Sequence, residues 1–83
     1  MSAGYFVQTY KARGARLVGQ PTEGYGFADE ALAAARRLAR WRAGIVVFLQ
    51  EVDDEGVQRG RPAVLAIHGQ VPEGWLAAER AAA

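Results

Sequence analysis

The stretch Arg36-Arg37-Leu38-Ala39-Arg40-Trp41-Arg42-Ala43-Gly44-Ile45-Val46-Val47-Phe48-Leu49 decides the fold, because it joins two kinds of structure. Upstream of Gly44, from Ala28 to Ala43, the pattern is helical. At 100° per residue Ala28, Ala31, Leu32, Ala35, Leu38 and Ala39 gather on one face, while Asp29, Glu30, Arg36, Arg37 and Arg40 gather on the other. The acids open the helix and the arginines close it, as the helix dipole favours. Gly44 reads as the stop. Arg42, in the last turn, is placed to bond terminal carbonyls. Downstream, five apolar residues follow one another. A strand that is apolar on both faces belongs in the middle of a sheet covered on both sides. One helix covers one side. The other requires a second copy, a partner, or the segment around Trp75.

Working outward, Tyr5 to Ala12 is aromatic and β-branched and reads as a strand. Tyr5, Val7 and Thr9 share one face; Phe6, Gln8 and Tyr10 share the other. Arg13-Gly14 signals a turn, after which Ala15 to Gln20 pairs back as a short strand carrying Leu17. Pro21 to Gly26 is a loop or an irregular edge. Beyond the central strand, Ile45 to Val52, the run Asp53-Asp54-Glu55-Gly56 is a turn. Pro62 to His68 is a further strand, with Ala63, Leu65 and Ile67 on one face and Val64, Ala66 and His68 on the other. Trp75 to Ala83 has helical propensity but fewer than three turns, so it persists only if docked. Ala81-Ala82-Ala83 reads as a frayed end. The expected architecture is α+β, an antiparallel sheet of three to four strands in the order β-β-α-β-β, with one long helix on one face. The chain is expected to be one domain over 1–83, with an ordered core over 5–72 and a short helix or frayed tail over 76–83. Leu32, Leu38, Phe48 and Leu65 are the expected core between helix and sheet.

Composition bounds the function. With 51% hydrophobic and 23% charged residues, the chain has the balance of a soluble globular domain. Its 83 residues make a domain near the small end of what folds alone. Ten basic and nine acidic residues leave a net charge of +1, too little to make nucleic acid or an anionic membrane a default partner. Without cysteine, disulfides and thiolate chemistry are excluded. The start lacks the features of a signal peptide, and no apolar run approaches the ~18 residues of a membrane span. A cytoplasmic protein is expected. Nine of the ten basic residues are Arg, which suggests a GC-rich bacterial genome.

No residue set carries a catalytic, metal or cofactor motif, so the expectation is a non-enzyme without cofactors. His68, the only histidine, alternates with Val64 and Ala66 and reads as a sheet-face side chain. Asp53, Asp54 and Glu55 are consecutive, unlike the alternating acids of a calcium loop. Gly24-Tyr25-Gly26-Phe27 lacks the third glycine of a dinucleotide fingerprint, and Asp29 and Glu30 would repel phosphate there. Arg36, Arg37 and Arg40 form a basic helix face that reads as solvated, with anion binding as the alternative. Tyr5, Phe6, Tyr10, Trp41, Phe48 and Trp75 read as core and interface, with a ligand pocket as the alternative.

Three features carry a resemblance: Phe6-Val7-Gln8-Thr9-Tyr10; a helix closing on Arg37-Leu38-Ala39; and Arg42-Ala43-Gly44-Ile45-Val46-Val47-Phe48 followed by an acidic turn, an apolar strand and Gly69-Gln70-Val71-Pro72-Glu73. Over roughly residues 5–73 the chain resembles a group of small, uncharacterised bacterial proteins with this β-β-α-β-β pattern. The resemblance implies no activity, ligand or site. That group places a Ser or similar cap before the helix; here the position is Phe27. Phe6-Val7-Gln8 before an Ala-rich helix is similar to the opening of sporulation-related repeat domains, but the gap is too long and no second unit follows. The helix and last two strands are similar in order to dodecins, without the flavin-stacking aromatic.

The functional expectation is therefore association: a homodimer or a protein partner, bound through the sheet face or edge, with Ile45, Val47, Phe48, Leu49, Val64 and Trp75 as interface candidates. A small-ligand or anion-binding module using Arg36, Arg37 and Arg40 or the aromatic cluster is the alternative. Membrane is excluded as a partner, and nucleic acid is not expected.

Overall fold

The computed structural model describes residues 2–82 and shows the expected α+β architecture, an antiparallel sheet with two helices. The sheet comprises β1 (Ser2–Arg13), β2 (Arg16–Gly19), β3 (Glu23–Tyr25), β4 (Gly44–Val52) and β5 (Gln58–Gly69). Its spatial order is β2-β1-β4-β5, with β3 also on β1. Helix α1 (Ala28–Leu38) continues as a 3-10 turn, Ala39–Trp41, and helix α2 (Glu73–Ala82) closes the described chain. Ala83 lies outside the described residues, so the reading of a frayed end is tested only as far as Ala82, which is still helical.

The Pro21–Gly26 segment is an edge after all. β2 and β3 both pair with the same side of β1, and the register advances by one residue between them. Pro21, with no N–H to donate, sits in that bulge. The Gln8 side chain holds it: its Nε2 donates to the Gln20 carbonyl at 2.6 Å, and its Oε1 accepts from the Thr22 hydroxyl.

β4 is central, as its unbroken apolar run requires. Ile45, Val46 and Val47 are all fully buried, although they point to alternate faces. On one face Val7, Ile45 and Val47 pack against Ala31, with Tyr5, Leu32, Ala35, Leu38 and Ala66 around them. The two alanines that α1 buries completely, Ala31 and Ala34, let its backbone approach the sheet closely. Ala34 was not on the expected face. The second face carries Phe6, Val46, Phe48 and Val64, and here α2 supplies the cover. The Trp75 ring packs on Phe48 at 4.8 Å, Phe48 stacks on Phe6 at 5.6 Å, and Trp75 Nε1 donates to Tyr10 Oη at 2.7 Å. A helix of ten residues is marginal alone, and this indole is what docks it.

Three expectations are corrected. Phe48 lies on the face away from α1, because its register partners Phe6 and Val64 do. Leu65 is 44% exposed and is not core. The cause is a bulge in β5: Val47 pairs with Ala66, but Phe48 pairs with Val64, so Leu65 is the extra residue. Val64 and Ala66 therefore face opposite sides, against the simple alternation. A second irregularity lies opposite Gln50, whose buried Nε2 donates to the carbonyls of Arg59 at 2.9 Å and Gly60 at 3.4 Å.

Gly44 is not the helix stop. The helix ends in its 3-10 turn, and Arg42 is already extended. Arg42 bonds the Trp41 carbonyl at 3.1 Å, as expected of it, and its Nε also donates to Thr9 Oγ1 at 3.1 Å. Gly44 serves close approach instead. A Cβ there would lie 1.6 Å from the Gln70 carbonyl oxygen. Opposite it, Gly69 takes φ +73°, and Gln70 N–H donates to the Ala43 carbonyl at 2.9 Å.

Candidate functional site

The interface candidates split between the two faces. Ile45 and Val47 are sealed beneath α1; Phe48 is buried beneath Trp75; Leu49 and Val64 are half-buried. The aromatic set divides in the same way. Tyr5 packs with the α1 core, and Phe6, Phe48, Trp75 and Tyr10 form one assembly on the other face. Trp41 joins neither and is 68% exposed.

Arg36, Arg37 and Arg40 are exposed, and the fold adds neighbours that the linear sequence keeps apart. β1 pairs with β4 only as far as Tyr10, opposite Gly44, and then continues to Arg13 with β2 alone. The hairpin thus overhangs the sheet and carries Lys11, Arg13 and Arg16 past the start of β4. The 3-10 turn is fastened at this same end, by Arg42 to Thr9 and by Ala43 N–H to the Tyr10 carbonyl at 2.8 Å. α1 runs antiparallel to β4, so its basic last turns arrive here and its acidic first turn lies at the other end. Seven of the ten basic residues lie toward this end: Lys11, Arg13, Arg16, Arg36, Arg37, Arg40 and Arg42, with Arg37 also near enough to Tyr25 to act on its phenol. Arg13 and Arg16 even stand directly opposite each other in the hairpin register, a like-charge pairing that disfavours the hairpin. Among the described residues none of the seven is in an ion pair.

The far end carries the acidic turn, and Asp53 there is satisfied within the chain. Asp53 shapes the β4–β5 turn, as the sequence predicts. Its Oδ1 accepts from the N–H groups of Glu55 and Val57, each at 2.9 Å, and its Oδ2 meets Arg59 at 2.8 Å. These bonds, that of the Val57 N–H first, hold its carboxyl below the usual carboxylate range. Gly56 takes φ +81° at the tip. Near the middle of the sheet edge Tyr25 Oη donates to Glu23 Oε2 at 2.7 Å, which raises the phenol above its ordinary value. Glu73 pairs with Arg80 on α2.

α1 covers β1 and β4 but leaves part of β5 bare. An open cleft of about 370 Å³ results, lined by Leu32, Ala35, Arg36, Ala39, Ala66, Ile67 and His68. His68 pairs with Ile45 and so faces the α1 side, at the basic end. No carboxylate, hydroxyl or thiol lines the cleft, so the imidazole has no adjacent nucleophile or acid there to work with. Among the described residues no group of three or more His, Asp or Glu side chains is placed to hold a metal ion. No described helix is long and apolar enough to cross a membrane.

Sequence reasoning found Arg36, Arg37 and Arg40 but missed Trp41 and the hairpin cations as parts of one surface. The signal was a tryptophan one turn beyond Arg37, at a helix end. Comparison with family models, curated proteins and solved structures finds no match to this chain.

Proposed function

We propose that this chain is a non-catalytic binding module that engages a polyanionic partner through its basic end. One observation carries the reading: seven cations converge on one end without carboxylate partners, while the acids sit elsewhere or are paired. Net charge conceals this, because near-neutrality constrains the sum and not its distribution. Arginines outside any ion pair suit phosphate, sulfate or carboxylate groups, and of these only Arg42 already commits donors among the described residues, to Thr9 and the Trp41 carbonyl. The test is titration with an inorganic polyphosphate at physiological salt. Wild type should bind, and replacement of Arg36, Arg37 and Arg40 by Gln should weaken binding at least about tenfold. Equal affinity in the triple variant would sink the proposal.

A second reading, self-association, keeps support from one feature. β5 is a twelve-residue strand paired on one side only among the described residues, with Leu65 exposed beside the open edge. A second copy adding its own β5 would extend the sheet and bury that leucine. Face-to-face pairing has less to recommend it, since α2 occupies the face concerned. Sedimentation from micromolar to millimolar concentration, for wild type and Leu65→Lys, tests the edge. A monomeric mass throughout would remove it. The Arg-rich composition fits a bacterial setting.

A further inference from the structure

We infer that the basic end binds single-stranded nucleic acid, with Trp41 as a base-stacking platform. This rests on the polyanion reading and narrows it. The decisive residue is Trp41. This residue is 68% exposed, while the other tryptophan is packed against Phe48 and hydrogen-bonded to Tyr10. An exposed indole contributes little to the fold, and since Phe27 is equally exposed at the acidic start of α1, what singles out Trp41 is its setting among cations. Its backbone is nevertheless fixed. The 3-10 turn that carries it is tied to β1 through Arg42 and Ala43, and Arg42 Nη1 bonds the Trp41 carbonyl itself.

The surroundings suit one class of polyanion. Arg37 stands one turn before Trp41, Arg40 is its neighbour in sequence, and the hairpin cations Lys11, Arg13 and Arg16 lie at the same end. Cations for the backbone beside an aromatic for the bases is the arrangement that holds unpaired strands, and stacking works for any base because each has a π-face. Duplex DNA hides its base faces and has no use for an exposed indole of this kind. A simple polyanion such as polyphosphate would use the arginines and ignore Trp41.

The experiment uses the full chain and follows labelled oligomers of about 15 nucleotides by anisotropy, with tryptophan emission recorded in parallel. Oligo-dT and oligo-rU separate DNA from RNA as the source of the single strand. A duplex of the same length and inorganic polyphosphate are the controls. Expected are saturable binding of a single strand in preference to the duplex, quenching of the indole, and affinity that falls steeply with salt. Trp41→Ala should weaken binding about tenfold, and Trp41→Phe should retain most of the affinity while abolishing the quench. Far-UV circular dichroism should show both variants folded, since Trp41 is not in the core. If polyphosphate and single strands bind equally well to wild type and Trp41→Ala, or the duplex binds as tightly, the strand inference fails and the polyanion reading stands. If neither polyphosphate nor any oligomer binds, both fail.

Discussion

The two ends of the sheet treat their charges in opposite ways. At the β4–β5 turn Asp53 is bonded to two backbone N–H groups and to Arg59, so its charge helps to set the local geometry. At the other end the backbone is fixed just as firmly, but by Gly44, Gly69, Thr9 and the Ala43 amide and carbonyl. There the charged side chains, Arg42 excepted, are not needed to hold the chain in place. Charges that shape a turn are part of the structure. Charges gathered on a rigid frame, beside an exposed indole and with like-charge neighbours, are free for a partner. The contrast assigns structure to one end and binding to the other, and it can be broken by substitutions that affect the wrong property.

The largest effect should come from the frame of the basic end. Gly44→Ala forces a Cβ into the Gln70 carbonyl, which belongs to the backbone and cannot swing away. A loss of about 3 kcal/mol or more in urea unfolding is expected. Gly74→Ala, where nothing lies within 4 Å, should be neutral or stabilising. Equal behaviour of the two variants would mean that the β4–β5 closure is not as tight as described.

Next comes the cover of the second face. Trp75→Ala removes the contact with Phe48 and the bond to Tyr10, and should cost about 2–4 kcal/mol, the lower part of the range for a large aromatic because Trp75 is half-buried. It also bares the Phe6–Phe48 face, so sedimentation should show more association than wild type at the same concentration. An unchanged melting temperature would show that α2 is not needed to complete the fold.

Much of this architecture can be read from residue pattern alone, and what cannot has identifiable causes. The amphipathic helix, the central strand and the acidic turn declare themselves because period 3.6, unbroken apolarity and Asp-Asp-Glu-Gly are local signals. The sequence also poses the need for a second cover and names Trp75 as a candidate for it. The β5 bulge escapes, because Val64, Leu65 and Ala66 alternate on paper and only pairing with Val47 and Phe48 inserts the extra residue. Gly44 is misread because its role depends on Gln70, a residue remote in sequence. The basic end escapes for a vectorial reason. Lys11, Arg13 and Arg16 join the helix arginines only once β1 overhangs β4 and α1 runs back along it. Trp41 looks like core in a list of aromatics but stands 68% exposed at the end of the helix.

A smaller effect is expected at the acidic end. Asp53→Asn should lower the thermal midpoint without changing polyanion binding. The carboxyl is held below its ordinary range in the folded state. Its contribution is therefore present above the unfolded value and is lost as pH falls through the lower, folded value. Wild type and variant should differ at neutral pH and converge on acidification below that folded value. A difference that grows in acid would contradict the role given to Asp53.

The smallest stability effect should belong to the residues with the largest effect on binding. Arg36, Arg37 and Arg40 make no ion pair among the described residues and lie on the solvent side of α1. Replacing all three by Gln removes no buried contact, keeps helix propensity, and relieves like-charge repulsion between Arg36 and Arg40 one turn apart. The helix also loses favourable charge near its C-terminus, which opposes that gain by a few tenths of a kcal/mol. The net change should stay under about 1 kcal/mol in either direction. Chemical denaturation and polyphosphate titration on the same preparation measure both properties together. Unchanged stability with lost binding is the outcome the contrast between the ends demands. A variant that unfolds easily and still binds would reverse it, making the basic face part of the frame and leaving the hairpin cations Lys11, Arg13 and Arg16 as the surface that meets the anion.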